Sequence, residues 1–307
     1  MSAVSKRPSS LSSYFGQENI KSNLSVFINS ALERDSSLDH ILLFGPPGLG
    51  KTSLAMVVGT EMGVKTHIIS APSIEKVSDI LPLLATIEKH DILFIDEIHR
   101  LPIAVEETLY SAMEDFKVDI LLESGIEKSV VTVELEPFTL IGATTRTGLI
   151  SKPMKDRFAI QFQLQEYSIN ELSDIICHYS KQIGVDIDIS SSILIAERSR
   201  STPRIALNLY SRSRDFAISL NEYFINNETV SLCFKSMNID DRGLTGLDLE
   251  YLQLLRKQKK PIGLKTLATI LNQDVKTIED DVEPYLLKMD LIEKTSFGRI
   301  IKEKGLF

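Results

Sequence analysis

Gly45-Pro46-Pro47-Gly48-Leu49-Gly50-Lys51-Thr52 satisfies every fixed position of the phosphate-binding pattern G-x-x-x-x-G-K-[ST]. It follows the apolar run Ile41-Leu42-Leu43-Phe44, which reads as a buried strand. It precedes a segment from Ser53 to Met62 in which Leu54, Val57, Val58 and Met62 are spaced for one buried helix face. A glycine-rich turn without a ligand would need neither flank. With both, the stretch predicts nucleoside triphosphate binding. The glycines let backbone N–H groups close around the phosphates, Lys51 reaches the β and γ oxygens, and the Thr52 hydroxyl ligates Mg²⁺.

Further apolar or β-branched strand candidates run from Lys65 to Ser70, Ile92 to Ile95 and Phe138 to Gly142, with helix-length segments between the first three. That alternation predicts an α/β core, a parallel sheet covered by helices. The run Ile92-Leu93-Phe94-Ile95 ends in Asp96-Glu97. Such a strand brings both carboxylates to the triphosphate: Asp96 to hold Mg²⁺ through its water shell, Glu97 to orient and deprotonate the attacking water. Hydrolysis, beyond mere binding, is therefore expected. A later strand ends in Gly142-Ala143-Thr144-Thr145-Arg146, where Thr145 is the candidate to sense the γ-phosphate. Arg157 and Arg204 are candidates to neutralise phosphate charge, one of them from across a subunit boundary. His99, close to Glu97, is placed to help shape the site; the other histidines show no ligand spacing.

Between Val118 and Leu135, two β-patterned runs flank the turn-prone Glu123-Ser124-Gly125, predicting an inserted β-hairpin. After Phe158 the pattern turns helical, with stretches from Ile169 to Gln182, Ser190 to Arg200, Pro203 to Leu220 and Val230 to Met237, an all-α lid. Past Asp240-Asp241-Arg242-Gly243, helices are expected at about 247–257, 264–272 and 276–289, then short strands from Leu291 to Thr295 and Arg299 to Lys302: a winged helix. The expected division is 1–164, 165–240 and 241–307.

Composition agrees with a multi-domain globular protein of 307 residues. No apolar run reaches membrane-span length and the N-terminus carries no signal pattern, so a cytoplasmic location is expected. Cys177 and Cys233 lack the spacing of a zinc site or redox pair. The net charge of −8 argues against nucleic-acid binding by the whole surface. The segment from Tyr251 to Phe307, however, carries eleven Lys and Arg against eight Asp and Glu, a net of +3 that leaves −11 for the rest.

The ordered set resembles the AAA+ ATPases and, within them, the RuvB family of branch-migration motors. Similar to that family are Arg7-Pro8, Tyr14-Phe15-Gly16-Gln17, Asp39-His40 and the phosphate loop, followed by Asp96-Glu97-Ile98-His99-Arg100-Leu101 and Met113-Glu114-Asp115. The likeness continues through Pro137 to Arg146, Asp156-Arg157-Phe158, Thr202-Pro203-Arg204-Ile205-Ala206, Thr277-Ile278-Glu279-Asp280 and Glu283-Pro284-Tyr285-Leu286. The resemblance implies that Arg7 and Tyr167 lie by the base and ribose, and that Gly48, Gly50, Lys51, Thr52 and Ser53 lie on the phosphates. It adds Glu114, Asp115 and Phe116 to the nucleotide set, makes Arg204 the sensor-two arginine and makes Arg157 the finger offered to a neighbouring nucleotide. It also implies ATP and Mg²⁺, a homo-oligomeric ring of hexamer type, and four-way junction and duplex DNA as substrate. The partners it implies are a RuvA-like junction-binding protein, met by the hairpin near Leu121 and Leu122, and a RuvC-like resolvase. DNA contact falls on Lys294 and Arg299.

Two departures stand out. Gly125-Ile126 replaces the usual Gly-Pro of the hairpin, and Ser296-Phe297 replaces the usual Pro-Arg of the wing, so weaker salt-sensitive DNA affinity is expected. A hairpin that is purely structural also fits the residues. At the level of function, the motifs predict an ATP-driven DNA motor. A clamp-loader-type switch and a non-enzymatic adaptor that keeps ATP for structure are the rivals, and neither explains hairpin and winged helix together.

Overall fold

The computed structural model describes residues 7–124, 127–258 and 260–302, without the side chains of 120–129. It divides into two compact units, Met1–Tyr167 and Ser168–Phe307.

In the first unit the strands are β1 (Ile41–Phe44), β2 (Thr66–Ser70), β3 (Ile92–Asp96), β4 (Lys117–Ser124), β5 (Glu127–Glu134), β6 (Thr139–Thr144) and β7 (Ile160–Gln163). Five of them form a parallel sheet in the order β2-β3-β6-β1-β7. The helices are α1 (Glu18–Glu33), α2 (Lys51–Met62), α3 (Val77–Leu84), α4 (Ile103–Glu114) and the short α5 (Lys152–Asp156). Strands β1, β3 and β6 are apolar on both faces because helices cover both. Leu42, Leu93, Ile95 and Leu140 pack with Val105 and Leu109 of α4, each such side chain contributing about 1.5–3 kcal/mol on burial.

Between Phe158 and the helical stretch that starts at Ile169, the structure adds a strand, β7, that the sequence pattern does not announce. Its Gln161 and Gln163 are the solvent-side positions of a four-residue edge strand, and so short and half-polar a segment carries little period-2 signal. His40 ties the sheet to α4. The Leu140 N–H donates to its Nδ1 at 2.9 Å, and its Nε2 donates to the Met113 carbonyl at 3.1 Å, so the ring is neutral with the proton on Nε2.

The hairpin runs in register from Lys117↔Glu134 to Ser124↔Glu127. Glu123 and Ser124, expected in the turn, therefore belong to the strand, and Gly125 lies outside the described residues. The hairpin base joins the core through Val118 and Val133. Leu121 and Leu122 pair with Val130 and Ser129, but their side chains lie outside the described residues. Val130 and Val131 present exposed apolar surface on the partner strand.

The second unit contains α6 (Ile169–Ile183), α7 (Ile189–Glu197), α8 (Pro203–Ser219) and α9 (Asn227–Ser236). A two-residue parallel pairing of β8 (Asp186–Ile187) with β9 (Phe224–Ile225) adds to these helices. α6 starts on a capping box between Ser168 and Glu171, and α9 on an Asn226 cap to the Thr229 N–H, four residues earlier than the apolar pattern begins. Then come α10 (Gly246–Lys257), α11 (Leu264–Ile270), α12 (Val275–Thr277), α13 (Glu283–Lys288), β10 (Ile292–Thr295) and β11 (Gly298–Ile301).

The single helix expected at 276–289 is broken by a π-helical turn over Ile278–Val282. Pro284 has no N–H to donate and its ring would crowd the carbonyl four residues back, so the wider turn absorbs the missing bond. The break aims Glu283 into the core, where it has no exposed surface. β10 and β11 form the wing, and Ile262 pairs with Arg299 from the outside. The wing turns on Ser296-Phe297, and β11 starts on Gly298, at φ +137, where a Cβ would come within 2.4 Å of the Ile262 carbonyl.

Candidate functional site: the carboxyl edge of the parallel sheet

The strand order places β6 between β1 and β3, with Phe44 level with Thr144 and Ile95 level with Gly142. Three loops thus leave the same edge of the sheet side by side: the phosphate loop after β1, Asp96-Glu97 after β3, and Thr144-Thr145-Arg146 after β6. Ligands of open α/β sheets bind outside such carboxyl ends.

The phosphate loop leads straight into α2, whose N-cap is Gly50 at φ +100. A Cβ there would sit 2.7 Å from the Tyr14 hydroxyl, so both the backbone angle and the space require glycine. Lys51 is buried and its ammonium donates to the carbonyls of Gly45 at 2.8 Å and Pro46 at 3.0 Å. Thr52 and Ser53 follow on the first turn of α2, at the positive end of the helix dipole, with Gly48 on the loop.

Across the edge, Glu97 adopts the left-handed conformation at φ +52, uncommon for a residue with a side chain. Its carboxylate accepts the Thr145 hydroxyl at Oε2, 3.1 Å away, and the Thr144 hydroxyl meets His99 Nδ1 at 2.9 Å. Burial keeps the His99 imidazole below its ordinary pKa, with Glu97 pulling the other way. Asp96 terminates β3 and caps the Glu97 N–H.

A hydroxyl and one carboxylate, Thr52 and Asp96, are hard oxygen donors. Among the described residues no group of three or more His, Cys, Asp or Glu is gathered for a metal. That set fits Mg²⁺, which is held by one or two protein oxygens together with phosphates and water.

Beside the phosphate loop, Tyr167 donates to the Leu49 carbonyl and to the Tyr14 hydroxyl, each at 3.2 Å. Burial, reinforced by Tyr167, holds the Tyr14 phenol well above its ordinary value. Tyr14 belongs to the quoted Tyr14-Phe15-Gly16-Gln17 motif, but sequence reasoning assigned it no role, because its contact with the phosphate loop joins residues distant in the chain. Arg7 Nη1 lies 2.8 Å from Met56 Sδ on α2.

Other candidates sit elsewhere. Arg157 donates to Glu114 Oε2 at 3.0 Å and to the Pro153 carbonyl at 2.8 Å, and its guanidinium stacks over Tyr110 at 4.2 Å. Arg157 and Glu114 are thus each other's partners within the chain. Asp115 is exposed, and Phe116 packs edge-on against Phe138 at 6.0 Å. Arg204 belongs to the second unit, exposed on the first turn of α8. In the wing, Lys294 and Arg299 both bond to the buried Glu283, at 2.6 Å and 2.7 Å, while Phe297 at the tip is 84% exposed.

Family models match nearly the whole chain. Residues 6–164 match the Holliday junction DNA helicase RuvB P-loop domain, 167–240 the RuvB AAA lid domain, and 241–307 the RuvB C-terminal winged helix domain. The Holliday junction branch migration complex subunit RuvB of Campylobacter fetus is 49% identical over 302 residues, covering 98% of this chain and 88% of that protein. The protein of the same name in Wolinella succinogenes is 49% identical over 298 residues, covering 97% and 89%. Among solved structures, the Thermotoga maritima RuvB Holliday junction branch migration motor superposes with a TM-score of 0.84 at 42% identity, covering 97% of this chain and 96% of that one. With phosphate loop, carboxylate pair, lid and winged helix in that order, the chain belongs to the RuvB family of AAA+ ATPases.

Proposed function

We propose that this chain is an ATPase that drives branch migration of four-way DNA junctions. The observation that carries the proposal is the convergence of Lys51, Asp96, Glu97 and Thr145 at one sheet edge, in a chain of the RuvB family. The phosphate loop binds the triphosphate through backbone N–H groups, Lys51, Thr52 and Ser53. Thr52 and Asp96 would hold Mg²⁺, which would supply charge neutralisation on the phosphates. Glu97 orients a water for in-line attack and takes its proton, while the bond from the γ-phosphorus to the bridging oxygen breaks and that oxygen leaves on ADP. Thr145 registers the state of the γ-phosphate through its bond to Glu97. Arg7 and Tyr167 hold the base and ribose, and Arg204 acts as the sensor-two arginine.

The working form is a homo-oligomeric ring, of hexamer type, in the cytoplasm, where duplex DNA lies. In it Arg157 exchanges Glu114 for a neighbour's nucleotide, and Glu114, Asp115 and Phe116 line the same junction between subunits. Three modules, 1–164, 165–240 and 241–307, divide the work into ATPase, lid and DNA contact. The hairpin near Leu121 and Leu122 meets a RuvA-like partner, and a RuvC-like resolvase acts on the same junction. Lys294, 40% exposed, is the wing cation best placed to exchange its carboxylate for a DNA phosphate. A clamp-loader-type switch is not favoured, because the family match continues through the winged helix.

The test is ATP-dependent movement of a synthetic four-way junction, with and without a RuvA-type protein, using Glu97→Gln as control. Movement that disappears in the variant supports the motor. ATP turnover without movement, even with the partner, refutes it.

A further inference from the structure

The Glu97 carboxylate is held at one oxygen from two sides. Thr145 Oγ1 donates to Oε2 at 3.1 Å, and His99 Nδ1 lies 3.2 Å from the same oxygen, with the imidazole 7% exposed. Nδ1 is also 2.9 Å from Thr144 Oγ1, which itself accepts the Arg146 N–H at 2.9 Å. A bare Nδ1 would set its lone pair against the carboxylate. The proton therefore belongs on Nδ1, shared between Thr144 Oγ1 and Glu97 Oε2.

The backbone builds this arrangement. Glu97 is left-handed, and the 3₁₀ turn Ile98–Arg100 that follows returns His99 alongside it. Ile98 is the buried anchor of the turn and packs where Gly142 has no side chain; a Cβ there would lie 2.9 Å from Ile98 Cδ1. Desolvation keeps the ring from charging despite Glu97, with Arg146 and Arg100 opposing protonation further. A neutral donor orients the carboxylate without placing a cation on the base.

We propose that His99 is a positioning residue which, with Thr145, fixes Oε2 of Glu97 so that Oε1 is the atom that takes the proton of the attacking water. This rests on the assignment of Glu97 as the hydrolytic base.

The experiment uses the full chain and measures steady-state ATP hydrolysis, affinity for a fluorescent ATP analogue and thermal unfolding for His99→Phe, His99→Asn, Glu97→Gln and the double variant with Phe and Gln. His99→Phe is expected to lower kcat about 10- to 100-fold with nucleotide affinity and unfolding temperature unchanged. His99→Asn, which retains a donor, restores most of it, and the double variant turns over no slower than Glu97→Gln alone. A wild-type kcat in His99→Phe, with Glu97→Gln inactive, overturns the positioning role and leaves the hydrolytic assignment standing. A wild-type kcat in Glu97→Gln sinks that assignment itself. Parallel losses of kcat, affinity and unfolding temperature in every His99 variant would show packing instead.

Discussion

Arg299 and Glu283 meet beneath the wing: the guanidinium donates from Nε at 2.7 Å and from Nη2 at 3.2 Å to the two oxygens of a carboxylate with no exposed surface. Lys294 and the Tyr251 hydroxyl complete the cluster. Arg299→Ala strands a buried charge and is expected to cost about 3–5 kcal/mol in the second unit, seen as a lowered urea midpoint. Lys294→Ala should lower that midpoint less, since Arg299 and Tyr251 still hold Glu283, and reduce the salt slope of duplex binding by about 1. The opposite pattern would make Arg299 the DNA contact and Lys294 the structural one.

Burial raises the Glu283 pKa, but hydrogen bonds from Arg299, Lys294 and Tyr251 outweigh it and hold the carboxyl below its ordinary value of 4.5. The folded state binds this proton less readily than the unfolded chain. Its contribution is therefore complete above about pH 4.5 and lost as pH falls through the folded value. The loss of stability below about pH 4.5 that is tied to Glu283, followed by urea midpoints at about pH 5 and pH 4, should be absent once Lys294 and Arg299 are both replaced, because burial then dominates the carboxyl.

His40 produces a second, milder acid effect. Desolvation lowers its pKa below 6.5, and the Leu140 N–H occupies Nδ1, so a second ring proton has no place. Stability tied to the neutral ring is present above pH 6.5 and declines as pH drops toward the folded value. Urea midpoints at pH 7.5 and 5.5 should differ for the wild type and differ less for His40→Asn. His40→Leu leaves the Leu140 N–H unpaired, at a cost of about 1–3 kcal/mol at either pH.

Gly50→Ala brings two conflicts at once, a positive φ and a contact of 2.7 Å with the Tyr14 hydroxyl. The strain alone is worth about 1–2 kcal/mol, so nucleotide affinity should fall at least about tenfold by titration with a fluorescent analogue. Adding Tyr14→Phe relieves only the steric part. Full recovery in the double variant would show that the backbone angle is not the constraint.

If Arg157 serves a neighbour's nucleotide, Arg157→Ala and Glu97→Gln proteins, each inactive alone, should regain ATPase activity when mixed. Mixed rings contain junctions that pair an intact Glu97 with an intact Arg157. An arginine finger is worth about 10³–10⁵ in kcat, so even a minority of such junctions is measurable. No recovery on mixing would place Arg157 in its own subunit, on Glu114.

Much of this protein is local information, and local information is what a chain displays. The phosphate loop, the apolar strand with its terminal Asp96-Glu97 and the hairpin alternation each depend on a few neighbouring residues with a characteristic period, so strands β1, β2, β3 and β6 and helices α6 to α11 were legible within a few residues. Edge strand β7, the two-residue pairing of β8 with β9, and the π-helical turn at Ile278–Val282 were not, because each is short and is stabilised by partners distant in sequence. The same division runs through the site. Sequence alone named the candidate side chains Lys51, Asp96, Glu97 and Thr145. Tertiary structure alone decided that Thr145 and His99 share Oε2 of Glu97, that Tyr14 excludes any side chain at Gly50, and that Arg299 is bound to Glu283, since hydrogen bonds and steric exclusion join residues that only the folded sheet and the broken helix bring together.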